Sequence, residues 1–294
     1  MVKRGSLARK YRRVGWGMVL LPTVIMLVFT FWPMVEAFML SLQSGKGMML
    51  KYAGFANYGK LFTDRVFLEA LKNTLIYTVI QVPVMIFLAM FSAVLLNKSY
   101  LRLRGVLRTS IFLPCVTSLV AYSILFKSLF AHSGLVNTLL TSLGIVQEPI
   151  SWLTHQDWAK VTIMLAMTWR WTGYNMIFFL SGMQNIDPEI YESALLDGAN
   201  ARQSFFYITL PLLKPIILFT TVTSTNGTLR LFDEVNVITE GGPGNATLSI
   251  SVYIYNLCFK NTPRFGYAAA VSYSIVFFVI VLAGLQFILA RDRD

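Results

Sequence analysis

Arg170 stands in the middle of an apolar stretch, in the run Thr168-Trp169-Arg170-Trp171-Thr172-Gly173-Tyr174-Asn175. At the centre of a bilayer such a charge costs at least about 2.5 to 3.5 kcal/mol unless it is paired or hydrated. Two uses would justify it: a structural tie to Asp233 or Glu234, or a hydrogen bond to a polar solute. Trp169, Trp171 and Tyr174 offer flat faces of the kind that stack on a pyranose ring, pack in a core or anchor at an interface. Tyr174 and Asn175 are the candidates for solute contact. A second polar run, PIILFTTVTSTNGTLRLFDEV, starts at Pro215. On a helix its Ser224, Gly227, Thr228 and Leu231 share one face by i, i+3, i+4, i+7 spacing, with Asn226 on an adjoining flank. Hydroxyls, an amide and a glycine that admits close approach suit a solute rich in hydroxyls, such as a sugar. They also suit a helix interface, because Ser and Thr can bond their own i−4 carbonyl and Gly lets helices pack closely.

Other chemistry is missing. There is no G-x-x-x-x-G-K-[ST] phosphate cradle, no H-E-x-x-H and no G-x-S-x-G,. The histidines His132 and His155 and the cysteines Cys115 and Cys258 stand apart from one another and form no metal-ligand or disulfide pattern,. The sequence therefore predicts no catalytic residue, no metal site and no cofactor bound by this chain, and it excludes an intramembrane protease or metalloenzyme.

The elements that must carry these residues are read from hydropathy. The 294 residues are 55% hydrophobic and 13% charged, with mean hydropathy +0.60, and the apolar residues come in long blocks. That is a membrane composition. A hydrocarbon core of about 30 Å needs about 20 apolar helical residues, and six blocks qualify: residues 16–42, 71–97, 107–131, 158–183, roughly 210–232, and 266–290. Alternating segments of about ten residues, the mark of a β-barrel, are absent, so the fold class is an all-α polytopic membrane protein with six transmembrane helices. Residues 1–15 read as a basic tail, and residues 16–294 as one transmembrane domain with a long loop at about 185–214. Between residues 133 and 155 an amphipathic helix is predicted at the outer interface, anchored by Trp152 and Trp158.

The formal charge of +11 is distributed as topology. Six spans put Lys3, Arg4, Arg9, Lys10, Arg12, Arg13, Lys98, Arg102, Arg104, Arg108, Arg202, Lys214, Arg291 and Arg293 on one side, while no Lys or Arg falls between His132 and Gln156. By the positive-inside rule both termini and the segment from Pro188 to Pro215 face the cytoplasm. Nucleic-acid binding is excluded as the reason for the charge.

That inner segment, PEIYESALLDGANARQSFFYITLPLLKP, is longer than a plain connection of about 4 to 6 residues. Asp187 before Pro188 predicts an N-cap with proline at the first helical position, and Glu189 suits the helix dipole. Ile190, Tyr191, Ala194 and Leu195 form an apolar stripe, and Gly198 is a left-handed stop. Asn200 caps a second short helix through Ile208. A surface-lying helix would carry basic residues; this one is acidic and suits a groove in a soluble partner.

Glu192-Ser193-Ala194, Asp197-Gly198-Ala199, Phe206, Ile208, Leu210-Pro211 and Pro215 together resemble the EAA loop of ABC importer permeases. Ser193 departs from the usual alanine but keeps a small side chain. Gly241-Gly242-Pro243 with Thr247, Tyr253-Ile254-Tyr255 and Gly266-Tyr267-Ala268-Ala269-Ala270 resemble the maltose-type branch, and the resemblance runs from about Trp16 to the end. It implies the type I ABC importer permease fold in a bacterial inner membrane, with Glu192, Ala194, Leu195, Asp197 and Gly198 on a coupling helix seated in an ATPase. It implies a path lined by Ser224, Gly227, Thr228, Leu231, Arg170, Tyr174 and Asn175. The implied partners are a second permease subunit, two cytoplasmic ATPases that use ATP and Mg, an extracytoplasmic sugar-binding protein, the sugar and membrane lipid. From the residues alone the rival is an ion-coupled secondary transporter or channel for a small polar solute, which would need carboxylates within its spans or inverted repeats.

Overall fold

The computed structural model describes residues 4–47, 49–98, 101–260 and 262–290. Lys3, Arg291 and Arg293, which enter the orientation argument, lie outside them. The chain divides into two compact units, residues 1–62 with 256–273, and residues 63–255 with 274–294.

In the first unit, α1 (Arg4–Met26) and α2 (Trp32–Ser41) are joined by a π-helical turn at Leu27–Phe31. The helix begins at Arg4, within the segment that the sequence assigns to a tail. Val14–Ser41 is long and apolar enough to cross a membrane. An antiparallel hairpin follows, β1 (Gln43–Lys46) with β2 (Met49–Tyr52), a small addition to the all-α class. The buried Asn57 in α3 (Ala56–Leu61) ties it down, its amide donating to the carbonyls of Ser41 at 2.8 Å and Gln43 at 2.7 Å. The Lys60 ammonium lies 4.3 Å from the centre of the Tyr267 ring, and the Tyr273 hydroxyl donates to the Met34 carbonyl.

The second unit holds the expected site. Asp64 caps α4 (Arg65–Ile76) through the N–H groups of Val66 and Phe67, and a π-helical turn at Tyr77–Gln81 leads into α5 (Val82–Leu96). Arg65–Leu96 is a second stretch fit to span, and Phe265–Ile288, in the last helix, is a third. The third expected span is not one rod. It is α6 (Arg104–Val116) and α7 (Leu119–Leu129), bent by 100° between them. Thr117 and Ser118 take extended dihedrals there, directly after Pro114 in the last turn of α6.

The fourth expected span is contained in α9 (Gln156–Gln184), 29 residues long but too polar to count with the three spans above on composition. Beyond it lie α10 (Pro188–Leu196), α11 (Ala201–Ser204) and α12 (Leu210–Leu212), then α13 (Lys214–Leu229), bent by 63° from the segment before it. Pro215 in the first turn of α13 fits a fresh helix start rather than a continuation,. Among the described residues, composition and length thus support three spans, or up to five if each bent pair is one span. The unit is completed by α14 (Ile250–Tyr255) and the later part of the last helix, Phe265–Ala290.

α5 and α9 form the spine. Val82, Ala89 and Ala93 of α5 pack in one buried cluster with Met176, Phe179, Leu180 and Met183 of α9 and with Leu213. α9 also lies hard against α6, since a Cβ at Gly173 would collide with the backbone of Ile111 and Phe112. α8 (Leu135–Ser142) is held by its buried Asn137, whose side chain bonds the backbone of His132 and Ile150 and accepts from the Trp152 indole. Trp152 is buried against Phe130 and Trp158 rather than laid out as an interface anchor.

Candidate functional site

A cavity of about 340 Å³ opens in the second unit between α9, α13 and the chain that follows α13. From α9 it takes Met167, Trp171, Tyr174 and Asn175, and from α13 Thr223, Ser224, Gly227 and Thr228. Arg230, Leu231, Phe232, Asp233 and Glu234 continue the wall, with Met85 and Leu119 completing it. The sequence-chosen residues Tyr174, Asn175, Ser224, Gly227, Thr228 and Leu231 are therefore brought together on one space.

Their hydrogen bonds explain how each is held. The Ser224 hydroxyl reaches across to the Asn175 carbonyl oxygen at 3.3 Å, and the Asn175 amide nitrogen donates to the Trp171 carbonyl at 3.1 Å. The first link joins facing turns of α9 and α13, and the second ties the Asn175 side chain to its own helix. Thr228 instead bonds the Ser224 carbonyl one turn back, at 2.9 Å, as threonine does in an apolar helix. Gly227 has open space where a Cβ would stand, so its missing side chain is part of the cavity. Leu231 is not on the helix as its spacing implied, because α13 ends at Leu229. It is buried and reaches the cavity from the following turn, where the Ser249 hydroxyl donates to its carbonyl at 2.6 Å. The Gly-Gly-Pro loop that precedes Ser249 is itself tied down. Asn73 donates to the carbonyls of Asn245 and Leu248, the Tyr77 hydroxyl donates to the carbonyl of Thr247, and the Thr247 hydroxyl donates to the carbonyl of Gly242.

Arg170 does not line the cavity, and it pairs with neither Asp233 nor Glu234. It is 5% exposed. Its guanidinium donates to the carbonyls of Thr117 at 2.8 Å, Cys115 at 3.2 Å and Pro114 at 3.3 Å, and to the Thr117 hydroxyl at 3.3 Å. These carbonyls lie at the break between α6 and α7, where that of Pro114 also accepts from the Thr117 N–H and hydroxyl. The charge thus stands at the negative end of α6, where it is most favoured. Its remaining faces lie over the Tyr122 ring, 4.7 Å from the centroid, and the Trp171 ring, 5.4 Å away. Nothing in an unbroken apolar block announces such carbonyls, so the pattern alone left Arg170 with acids as its nearest partners.

The acids have their own arrangement. Glu234 is buried and accepts a hydrogen bond from the Tyr122 hydroxyl. With Asp233 and Arg230 it places charge on a largely apolar wall. Sequence reasoning named these acids only as partners for Arg170, because they follow the apolar window. The one signal available was their position directly after the polar helical face.

The inner segment is a separate site. The Asp187 side chain accepts from the Glu189 N–H, and Pro188 opens α10. At the far end Gly198 has φ +81°, with Ala199 N–H bonded to the Ala194 carbonyl and Gly198 N–H to the Leu195 carbonyl, the double-bonded stop that glycine favours. Asn200 and Gln203 then form a reciprocal capping box on α11,. The second helix does not run through to Ile208 as α-helix: a π-helical turn takes over at Phe205–Thr209. The apolar stripe is split. Tyr191 and Ala194 are half-buried, with the Tyr191 hydroxyl 2.9 Å from that of Thr209, whereas Leu195 and Leu196 point outward, Leu196 being 89% exposed. Glu192, Asp197 and Gly198 are exposed beside them. Leu196 escaped the sequence reading because it lies off the i, i+4 stripe.

Residues 65–294 match the family described as "Binding-protein-dependent transport system inner membrane component". The chain is 55% identical over 292 residues to the lactose transport system permease protein LacF of Rhizobium radiobacter, covering 99% of this chain and 98% of that one. It is 33% identical over 279 residues to the trehalose/maltose transport system permease protein MalF of Thermococcus litoralis, covering 93% and 92%. Among solved structures it resembles a chain of a bacterial ABC transporter involved in the import of the acidic polysaccharide alginate, with TM-score 0.85, 25% identity and coverage of 98% of this chain and 99% of that one. A chain of a bacterial alginate ABC transporter in complex with an alginate pentasaccharide-bound periplasmic protein matches with TM-score 0.84 at 25% identity, over 96% of this chain and 95% of that one.

Proposed function

We propose, from the premise that this chain belongs to the inner membrane component family of binding-protein-dependent transport systems, that it is the permease subunit of an ATP-driven importer of a di- or oligosaccharide. It forms half of the path and borrows its energy from a separate ATPase. The partners are a second, similar permease subunit, two copies of the ATPase, which bind ATP and Mg, and an extracytoplasmic sugar-binding protein. Both termini and α10 face the cytoplasm, residues 1–15 form the basic inner segment, and the permease domain extends from residue 16.

The cavity carries this reading. Its aromatic wall from Trp171 and Tyr174, its hydroxyl and amide groups from Ser224, Thr228 and Asn175, and the opening left by Gly227 match what a sugar ring presents: one flat apolar face and an edge of hydroxyls. α10 supports the coupling half. A short capped helix with Leu195 and Leu196 outward and acids beside them suits insertion into a groove of a soluble subunit, and a rigid-body movement of that subunit would pass through α10 to the spans. Glu192, Ala194, Leu195, Asp197 and Gly198 make up this element.

Gly227→Leu tests the cavity. The leucine occupies open space without a backbone clash and is the better helix former by about 1 kcal/mol. Uptake of the labelled sugar, beginning with lactose, should fall at least tenfold while the ATPase still co-purifies. Normal uptake by this variant would remove the cavity from the path.

A further inference from the structure

We propose that Glu234 is the residue by which this cavity selects uncharged, hydroxyl-rich ligands over anionic ones, with Tyr122 as the positioning residue that aims it. The proposal rests on the reading of the cavity as the sugar path. Glu234 is only 4% exposed, yet it lines the cavity. One of its carboxylate oxygens takes the hydrogen bond from Tyr122, and the other has no hydrogen-bond partner among the described residues. Asp233, beside it on the same wall, likewise has no hydrogen bond or ion pair among the described residues.

Among the described residues, the nearby cations form no ion pair with these acids. Arg230 lies on the wall but forms no salt bridge with either acid, and Arg170 directs its hydrogen bonds to the carbonyls at the break between α6 and α7. The Arg170 guanidinium holds the Tyr122 ring by its face. The Tyr122 hydroxyl, in turn, holds one oxygen of Glu234, a residue that lines the space.

An ionised carboxylate is an acceptor only. A sugar supplies paired O–H donors to it, and hydrogen bonds to a charged acceptor are roughly twice as strong as neutral ones. An anionic sugar brings a further negative charge to a wall where two carboxylates outnumber the one guanidinium of Arg230, so the wall works by repulsion as well as attraction.

The test uses the permease assembled with its partner permease and ATPases in nanodiscs, without binding protein, and measures equilibrium binding of labelled lactose and labelled lactobionate. These probes share a galactosyl unit and differ in charge. The native assembly should favour lactose by at least tenfold. Glu234→Gln keeps the shape and removes the charge, and should reduce that preference at least tenfold. Tyr122→Phe keeps the ring beneath Arg170 but releases Glu234, and should weaken lactose by about three- to tenfold, the loss of one hydrogen bond, with an unchanged melting temperature. If both variants keep the native preference while Gly227→Leu still abolishes lactose binding, Glu234 is not the selector and the cavity stands. If Gly227→Leu binds lactose normally, the cavity reading and this proposal fall together.

Discussion

Arg170 is held by geometry that only a guanidinium supplies. Three carbonyls and a hydroxyl at the break between α6 and α7 converge on its two terminal nitrogens. Its fork reaches them together, whereas a lysine offers a point charge on a flexible stem. Arg170→Lys should therefore lower stability by about 1.5 to 3 kcal/mol, the worth of a hydrogen bond to a charged group, read as a drop in melting temperature of the purified assembly. An unchanged melting temperature would mean that the break is held by something else. At this scale the sequence was readable where a residue's partner was local. Asn200 and Gln203 declared a capping box, and Ser224 and Thr228 declared a polar helical face. It was not readable where the partner came from a distant turn: Arg170 finds α6, Glu234 finds Tyr122, and Asn73 finds the loop at Asn245.

Elements were readable in proportion to their local signals. α10 was bounded correctly because Asp187, Pro188 and Gly198 are start and stop signals in themselves. The 100° break after α6 was hidden because Leu119 to Leu129 continues the hydropathy of the preceding helix, and hydropathy says nothing of direction. Hydropathy reads α9 as an apolar span; in the structure its polar residues Thr162, Arg170 and Asn175 are buried. Gly173 is the clearest case of a residue whose meaning is tertiary, since only the approach of α6 makes a Cβ there impossible. At Gly198 the constraint is the backbone alone: φ is +81° and the space around it is open. Gly198→Val should cost roughly 1 to 2 kcal/mol in the turn and reduce coupled uptake several-fold, while lactose binding at the cavity stays native. Equal uptake by this variant and the native protein would show that the turn after α10 does not transmit the movement.

For the whole molecule, the cavity and α10 sit at different places on one unit, residues 63–255 with 274–294. Both depend on α9, which carries Tyr174 and Asn175 to the cavity and ends shortly before Asp187, the cap of α10. A displacement of α10 therefore has a short covalent route to the cavity wall. Among the described residues no group of three or more His, Cys, Asp or Glu side chains is placed to hold a metal ion, and the sequence carries no phosphate-cradle motif. The proposed source of energy, a partner ATPase, rests instead on the likeness to binding-protein-dependent permeases.

The most direct measurement of that dependence is uptake of labelled lactose into proteoliposomes holding the purified assembly, with binding protein outside and ATP inside. The expected result is uptake that requires ATP, stops when the ATPase subunits are omitted and is unaffected by collapsing ion gradients. Uptake that continues without the ATPases and follows an imposed proton or sodium gradient would contradict it.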